Sequence, residues 1–186
     1  MRWFAVLLLC TCAIFSGCNN TNNSLDQAIS LRNEILQSNG CSFSTTINAD
    51  YGDEIYSFSM DCISDKEGNV TFTVIKPESI SGITGRISTT GGAITFDDKV
   101  LAFPTLADGE ISPVATPWIY IKTIKGGYIR GVSNGNSSYQ IEIDDSYEEN
   151  ALRLNIFMES NLPAGGEIFW KGRRAIAFTV DKFVLL

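Results

Sequence analysis

The run Cys41-Ser42-Phe43-Ser44-Thr45-Thr46-Ile47-Asn48, with its continuation Tyr56-Ser57-Phe58-Ser59-Met60-Asp61-Cys62 beyond Asp50-Tyr51-Gly52-Asp53, decides how this chain folds. Both halves alternate apolar and polar residues with period two, the pattern of strands that bury one face only. A turn at Tyr51-Gly52 would set Cys41 opposite Cys62, Phe43 opposite Met60, Thr45 opposite Phe58 and Ile47 opposite Tyr56. Phe43, Ile47, Tyr56, Phe58 and Met60 then share a face, while Ser42, Ser44, Thr46, Asn48, Ser57, Ser59 and Asp61 share the other. A slip of one residue would mix the two sets, so facing is strongly specified. In that register Cys41 and Cys62 form a non-hydrogen-bonded pair, where side chains approach most closely. A cross-strand disulfide is expected there if the chain is exported; two buried free thiols are the alternative.

Working outward, Ser24 to Gly40 reads as an amphipathic helix. Ser24 with Gln27 has the form of a capping box, and Gly40 stands where a helix-ending glycine belongs. Leu25, Ala28, Ile29, Leu31, Ile35 and Leu36 recur at helical steps and call for burial against a sheet. Downstream, strands are expected over Val70 to Ile75, Gly85 to Ser88, Ala93 to Phe96, Val100 to Phe103, Tyr139 to Ile143, Leu152 to Ile156, Glu167 to Trp170 and Ala175 to Leu185. Pro104 to Pro117 is a long connection. Thr116-Pro117 then offers an N-cap followed by proline, and Gly126-Gly127 closes the segment. Residues 117–125 suit a helix best, although their isoleucines also fit a strand. Lys171-Gly172-Arg173-Arg174 reads as a hairpin tip of type II′. The sum is a mainly β chain of the α+β class: an antiparallel sheet of about eight to ten strands, a helix before it and one helix embedded in it. A two-sheet sandwich would fit the same short strands.

The amino terminus gives a location. Met1-Arg2 precedes thirteen mostly apolar residues ending at Phe15, the length of a signal-peptide core and too short to span a bilayer as a helix. Phe15-Ser16-Gly17-Cys18 resembles the bacterial lipobox, with phenylalanine in place of the usual leucine. That resemblance implies removal of residues 1–17, acylation of Cys18, a short polar tether over 18–24 and one domain over 25–186. The chain would then be held at a bacterial membrane, facing away from the cytoplasm. An ordinary signal peptide cut nearby is the other reading.

Composition excludes several functions. The 186 residues contain no histidine, so neither Ser-His nor Cys-His nucleophilic pairs nor His-ligated zinc can form. A net charge of −7 makes a nucleic-acid partner improbable, because neutralising phosphates needs a basic face. Gly131-Val132-Ser133-Asn134-Gly135 matches the nucleophile elbow by letter, yet it lies in an expected loop and has no histidine to serve as base. Asp144-Asp145-Ser146-Tyr147-Glu148-Glu149 collects carboxylates without the glycine and alternating ligands of a calcium loop, so it reads as a solvated turn. No metal site, cofactor or catalytic residue is expected, and the chain is read as a non-enzyme.

The order of helix, antiparallel strands, embedded helix and closing hairpin is similar to the lipoprotein-carrier superfamily, which includes LolA- and LolB-type carriers and the mycobacterial lipoprotein lipid carriers. The stretches that carry the resemblance are the helix with its Phe43-to-Phe58 hairpin, Thr71-Phe72-Thr73-Val74-Ile75-Lys76-Pro77-Glu78, and the end from Leu162-Pro163 through Trp170-Lys171-Gly172-Arg173-Arg174 to Phe178-Thr179-Val180-Asp181-Lys182-Phe183. It implies an incomplete barrel whose concave face, covered by helices, holds acyl chains. Phe43, Ile47, Tyr56, Phe58, Met60 and Phe72 are the candidate lining. The expected function is that of an anchored envelope lipoprotein that binds or carries a lipid, acyl chain or lipoprotein. A sensor or protein-interaction module without a cavity is the rival.

Overall fold

The computed structural model describes residues 20–52, 54–96, 99–104, 106, 107, 110–134 and 138–186. The segment 1–17 and Cys18 lie outside the described residues. Helix α1 (Asn20–Gln37) leads into β1 (Gly40–Asp50), β2 (Ile55–Asp65) and β3 (Val70–Lys76), followed by β4 (Thr84–Ser88), β5 (Gly91–Phe96) and β6 (Lys99–Phe103). A two-residue pairing of β7 (Leu106–Ala107) with β8 (Glu110–Ile111) precedes helix α2 (Thr116–Gly126). Strands β9 (Tyr128–Asn134), β10 (Ser138–Asp144), β11 (Arg153–Glu159), β12 (Leu162–Trp170) and β13 (Arg173–Leu185) complete the chain.

Eleven strands form a single antiparallel sheet in the order β6-β5-β4-β3-β2-β1-β13-β12-β11-β10-β9. This is one or more strands beyond the expected eight to ten, because β9 occupies a segment read as a loop. The first and last strands, β6 and β9, are both edges, so the sheet stays open and does not close into a barrel. The final strand β13 inserts beside β1, joining an N-terminal meander to a C-terminal one through the longest strand of the sheet.

The register of the β1–β2 hairpin differs from the expected one by two residues. Phe43 faces Cys62, Thr45 faces Met60, Ile47 faces Phe58, and Cys41 faces Ser64. A two-residue shift leaves every side chain on its expected face, so the alternation alone could not distinguish the two registers. The outer face does distinguish them. In the observed register Ser44 donates to the Asp61 carboxylate at 2.7 Å, and the Thr46 and Ser59 hydroxyls meet at 2.9 Å. Cys41 and Cys62 are therefore diagonal neighbours, and both are buried free thiols in this structure rather than partners in a disulfide.

Both helices pack on the concave side. Helix α2 is buried almost all round: Trp118, Ile119, Tyr120, Ile121 and Ile124 are each less than one-tenth exposed. It lies against β2 and β10, and the Tyr120 ring meets Phe43 and Phe178 edge-on, each at 5.5 Å between centroids. Such aromatic contacts add about 0.5–1.5 kcal/mol beyond burial. Thr116 does not cap the helix; its hydroxyl donates to the Pro113 carbonyl at 2.7 Å, and Ala115 holds the N-cap position. Helix α1 packs against β9 and α2 through Ser24, Ala28, Leu31 and Ile35. It begins at Asn20, so Ser24 lies inside it and the expected tether is mostly helical. Only half of its expected apolar stripe is covered, since Leu25, Ile29 and Leu36 remain more than 40% exposed.

Gly40 has a different purpose from the expected helix cap. It opens β1 at φ +140°, and a Cβ there would stand 1.9 Å from the Ser64 carbonyl oxygen. The closing hairpin has Lys171 and Gly172 as its central pair, both at positive φ, which makes it type I′ rather than type II′.

Candidate functional site

Where α2 leaves the concave face uncovered, an apolar cleft of about 640 Å³ opens. Its floor is the inward side of the first meander: Tyr56 and Phe58 from β2, Phe72 and Val74 from β3, and Ile94 from β5. Ile80 and Ile83, from the turn between β3 and β4, and Ile111 to Val114 complete the lining. The size lies within the roughly 300–1,000 Å³ usual for small-molecule sites. Among the described residues of the lining, Glu54 is the only charged one.

The floor strands pack closely at one point. Gly85 stands opposite Phe72, and a Cβ at Gly85 would come within 2.3 Å of the Phe72 ring. The absent side chain leaves that ring room over the neighbouring strand. Tyr51 ties the roof to the floor: its hydroxyl donates to the Ile111 carbonyl, sixty residues along the chain. At the mouth, the Tyr51 and Tyr56 rings are 6.0 Å apart and inclined at 60°. The Tyr56 hydroxyl donates to the Glu54 carboxylate. That bond, with the carboxylate's charge, raises the tyrosine above its ordinary pKa of 10.0.

The six expected lining residues divide evenly. Tyr56, Phe58 and Phe72 line the cleft. Phe43, Ile47 and Met60 sit on the same face but are buried, Ile47 and Met60 completely, in the part of the concavity that α2 fills. Tyr51, Ile80, Ile83, Ile94 and Ile111 belong to the cleft and were not foreseen. Four of these five come from turns or later strands that only the folded sheet brings to β2.

Two other hollows are more polar. One, of about 560 Å³, is a groove lined by Asn48, Ser133, Gln140, Phe157, Glu159 and Glu167 among others. Ser133 is exposed there on edge strand β9, and the next described element is strand β10 rather than a helix, so an elbow is not formed among the described residues and most of the expected loop is a strand. The second lies between α1 and the β9–β10 end, with Arg32, Arg130, Arg153 and Asp144 in its wall. Asp144 is paired with Arg130 at 3.2 Å and with Arg153 at 3.0 Å, and Asp145 accepts from the Leu152 amide. These contacts account for the first two carboxylates of the acidic turn. The basic hairpin tip is likewise partly neutralised, since Arg174 meets Glu167 at 2.7 Å.

No protein-family model matches the chain, and no curated protein matches it. Solved structures similar to it include a putative outer membrane lipoprotein-sorting protein domain from Vibrio parahaemolyticus, at 9% identity and TM-score 0.49, covering 86% of this chain and 91% of that one. A LolA superfamily protein from Nitrosomonas europaea matches at 9% identity and TM-score 0.47, over 86% and 93% of the two chains. The lipoprotein LppX from Mycobacterium tuberculosis matches at 11% identity and TM-score 0.38, over 85% and 94%.

Proposed function

We propose that this chain is an envelope lipoprotein, anchored at a bacterial membrane through acylated Cys18, that binds an apolar ligand such as a lipid or acyl chain in the cleft beside α2. The observation that carries this reading is the cleft itself, with its wall of Phe58, Phe72, Val74, Ile83, Ile94 and Ile111. An aliphatic chain leaving water for such a wall gains about 0.8 kcal/mol per buried methylene. A domain whose concavity was filled along its whole length would have no such vacancy, which speaks against the cavity-free sensor.

The same geometry argues for binding without chemistry. Among the described residues, no group of histidine, cysteine, aspartate and glutamate side chains is disposed to hold a metal ion. Among its described residues the cleft wall holds no paired acid and base, and the one carboxylate, Glu54, bonds to a tyrosine. The ligand is selected by shape, apolar contact and the polar mouth.

Native mass spectrometry of the full chain, released from membranes in a neutral detergent, tests the reading. A lipid-sized adduct is expected on the native chain and lost in Ile94→Trp, whose indole fills the cleft. A chain that carries only detergent, or an adduct indifferent to Ile94→Trp, would overturn it.

A further inference from the structure

The mouth of the cleft has its own chemistry, and on the reading that the cleft takes an apolar chain, we infer that it selects a ligand with a cationic, ammonium-type head. Tyr51 and Glu54, on the short connection between β1 and β2, meet Tyr56 near the start of β2 there. The Tyr51 and Tyr56 rings form an open V, 6.0 Å between centroids at 60°. Both hydroxyls have partners, the Ile111 carbonyl for Tyr51 and the Glu54 carboxylate for Tyr56, so the rings are held in place. The connection is itself braced, since the Tyr51 amide donates to the Glu54 carbonyl at 3.0 Å and the Gly52 amide to the Asp50 carboxylate at 2.9 Å.

Two electron-rich ring faces beside a carboxylate attract a positive charge. A cation within about 6 Å of a ring centroid gains about 0.5–1 kcal/mol at an exposed site and about 2 when desolvated. Glu54 adds an opposite charge next to the rings, and among the described residues no lysine or arginine lines the cleft to compete for it. An anionic head placed at the same mouth would face Glu54 with no positive charge among the described lining residues to balance it, in a chain whose net charge is already −7. The polarity of the mouth therefore opposes fatty acids and anionic phospholipids and favours amine or quaternary ammonium amphiphiles. The chain of such a ligand would run inward over Phe58 and Phe72, whose side chains form the floor directly behind Tyr56.

Photo-crosslinking separates this inference from the reading it rests on. The full chain in neutral maltoside detergent is exposed to three dodecyl probes, each with a diazirine at the chain end and carrying a trimethylammonium, hydroxyl or sulfate head. Labelling of cleft residues is mapped by mass spectrometry and normalised to labelling elsewhere. The ammonium probe is expected to label the cleft about tenfold more than the alcohol, and the sulfate less than either. That advantage should shrink in Glu54→Gln and in Tyr56→Leu. Equal labelling by ammonium and alcohol, or preference for sulfate, would overturn the cationic head and leave the apolar cleft intact. If no probe labels the cleft, both readings fall.

Discussion

Cys62 stands opposite Phe43 and diagonal to Cys41, so the two buried thiols share one face of the sheet without facing each other. Burial pushes Cys41 up to about 12 from the ordinary 9.0, against the opposing pull of Lys125. Cys62 moves further in the same direction, through burial first and then the nearby charges of Asp61 and Cys41. The folded state thus keeps both protons at pH values where the unfolded chain releases them. Folding stability from these groups is fully present below about pH 9 and is lost as pH rises from there toward 12. Urea denaturation followed by tryptophan fluorescence should show a midpoint that declines steeply above pH 9. The decline should be shallower in the Cys41→Ala, Cys62→Ala double variant.

Gly40 and Gly126 make a matched pair of glycine tests. At Gly40 the backbone is at φ +140° and a methyl group would overlap the Ser64 carbonyl, so β1 must move away from β2. Gly40→Ala is expected to cost about 3 kcal/mol, read as a lowered urea midpoint with unchanged slope. Gly126, the last residue of α2, has nothing within 4 Å of its would-be Cβ. Gly126→Ala should therefore be neutral or stabilising by up to about 1 kcal/mol.

Much of this architecture was readable in the sequence because period-two alternation determines which residues face inward. Phe43, Ile47, Phe58 and Met60 are together on the concave side as their spacing requires. Register was not readable to the same degree, since moving the turn by one position conserves facing and is decided by pairs such as Ser44 with Asp61. The stripe on α1 was half right for a related reason. Periodicity reports an apolar arc, and the domain happens to cover Ala28, Leu31 and Ile35 but not Leu25, Ile29 and Leu36. Cleft residues such as Ile83 and Ile111 carry no local mark at all. They become neighbours of Phe58 only when β3, β4 and the segment before α2 fold back over β2.

Tyr120 presents an unusual balance. The residue is wholly buried, and its hydroxyl has no hydrogen-bond partner among the described residues. Leaving a polar group dry and unpaired costs about 1–3 kcal/mol, while its ring contacts with Phe43 and Phe178 would survive loss of the oxygen. Tyr120→Phe should raise the thermal midpoint, by an amount worth about 1 kcal/mol. A lowered midpoint would reveal a buried water serving that hydroxyl.

The proposed anchor at Cys18 precedes α1 by two positions, and that short interval has a measurable consequence. Two residues reach at most about 7 Å, and from Asn20 onward the helix advances only about 1.5 Å per residue. An acylated Cys18 would therefore hold the folded domain closer to the bilayer than an extended five-residue tether would. A protease needs several extended residues to cut, and the link offers too few. Proteinase K added to spheroplasts should release the native domain slowly, whereas inserting about a dozen Gly/Ser residues after Asn19 should make release at least several-fold faster. Labelling with a palmitate analogue should be present on both of these chains and absent from Cys18→Ala. Equal release of the native and lengthened forms would show that the fold does not begin where α1 does, and palmitate labelling of Cys18→Ala would move the anchor to another residue.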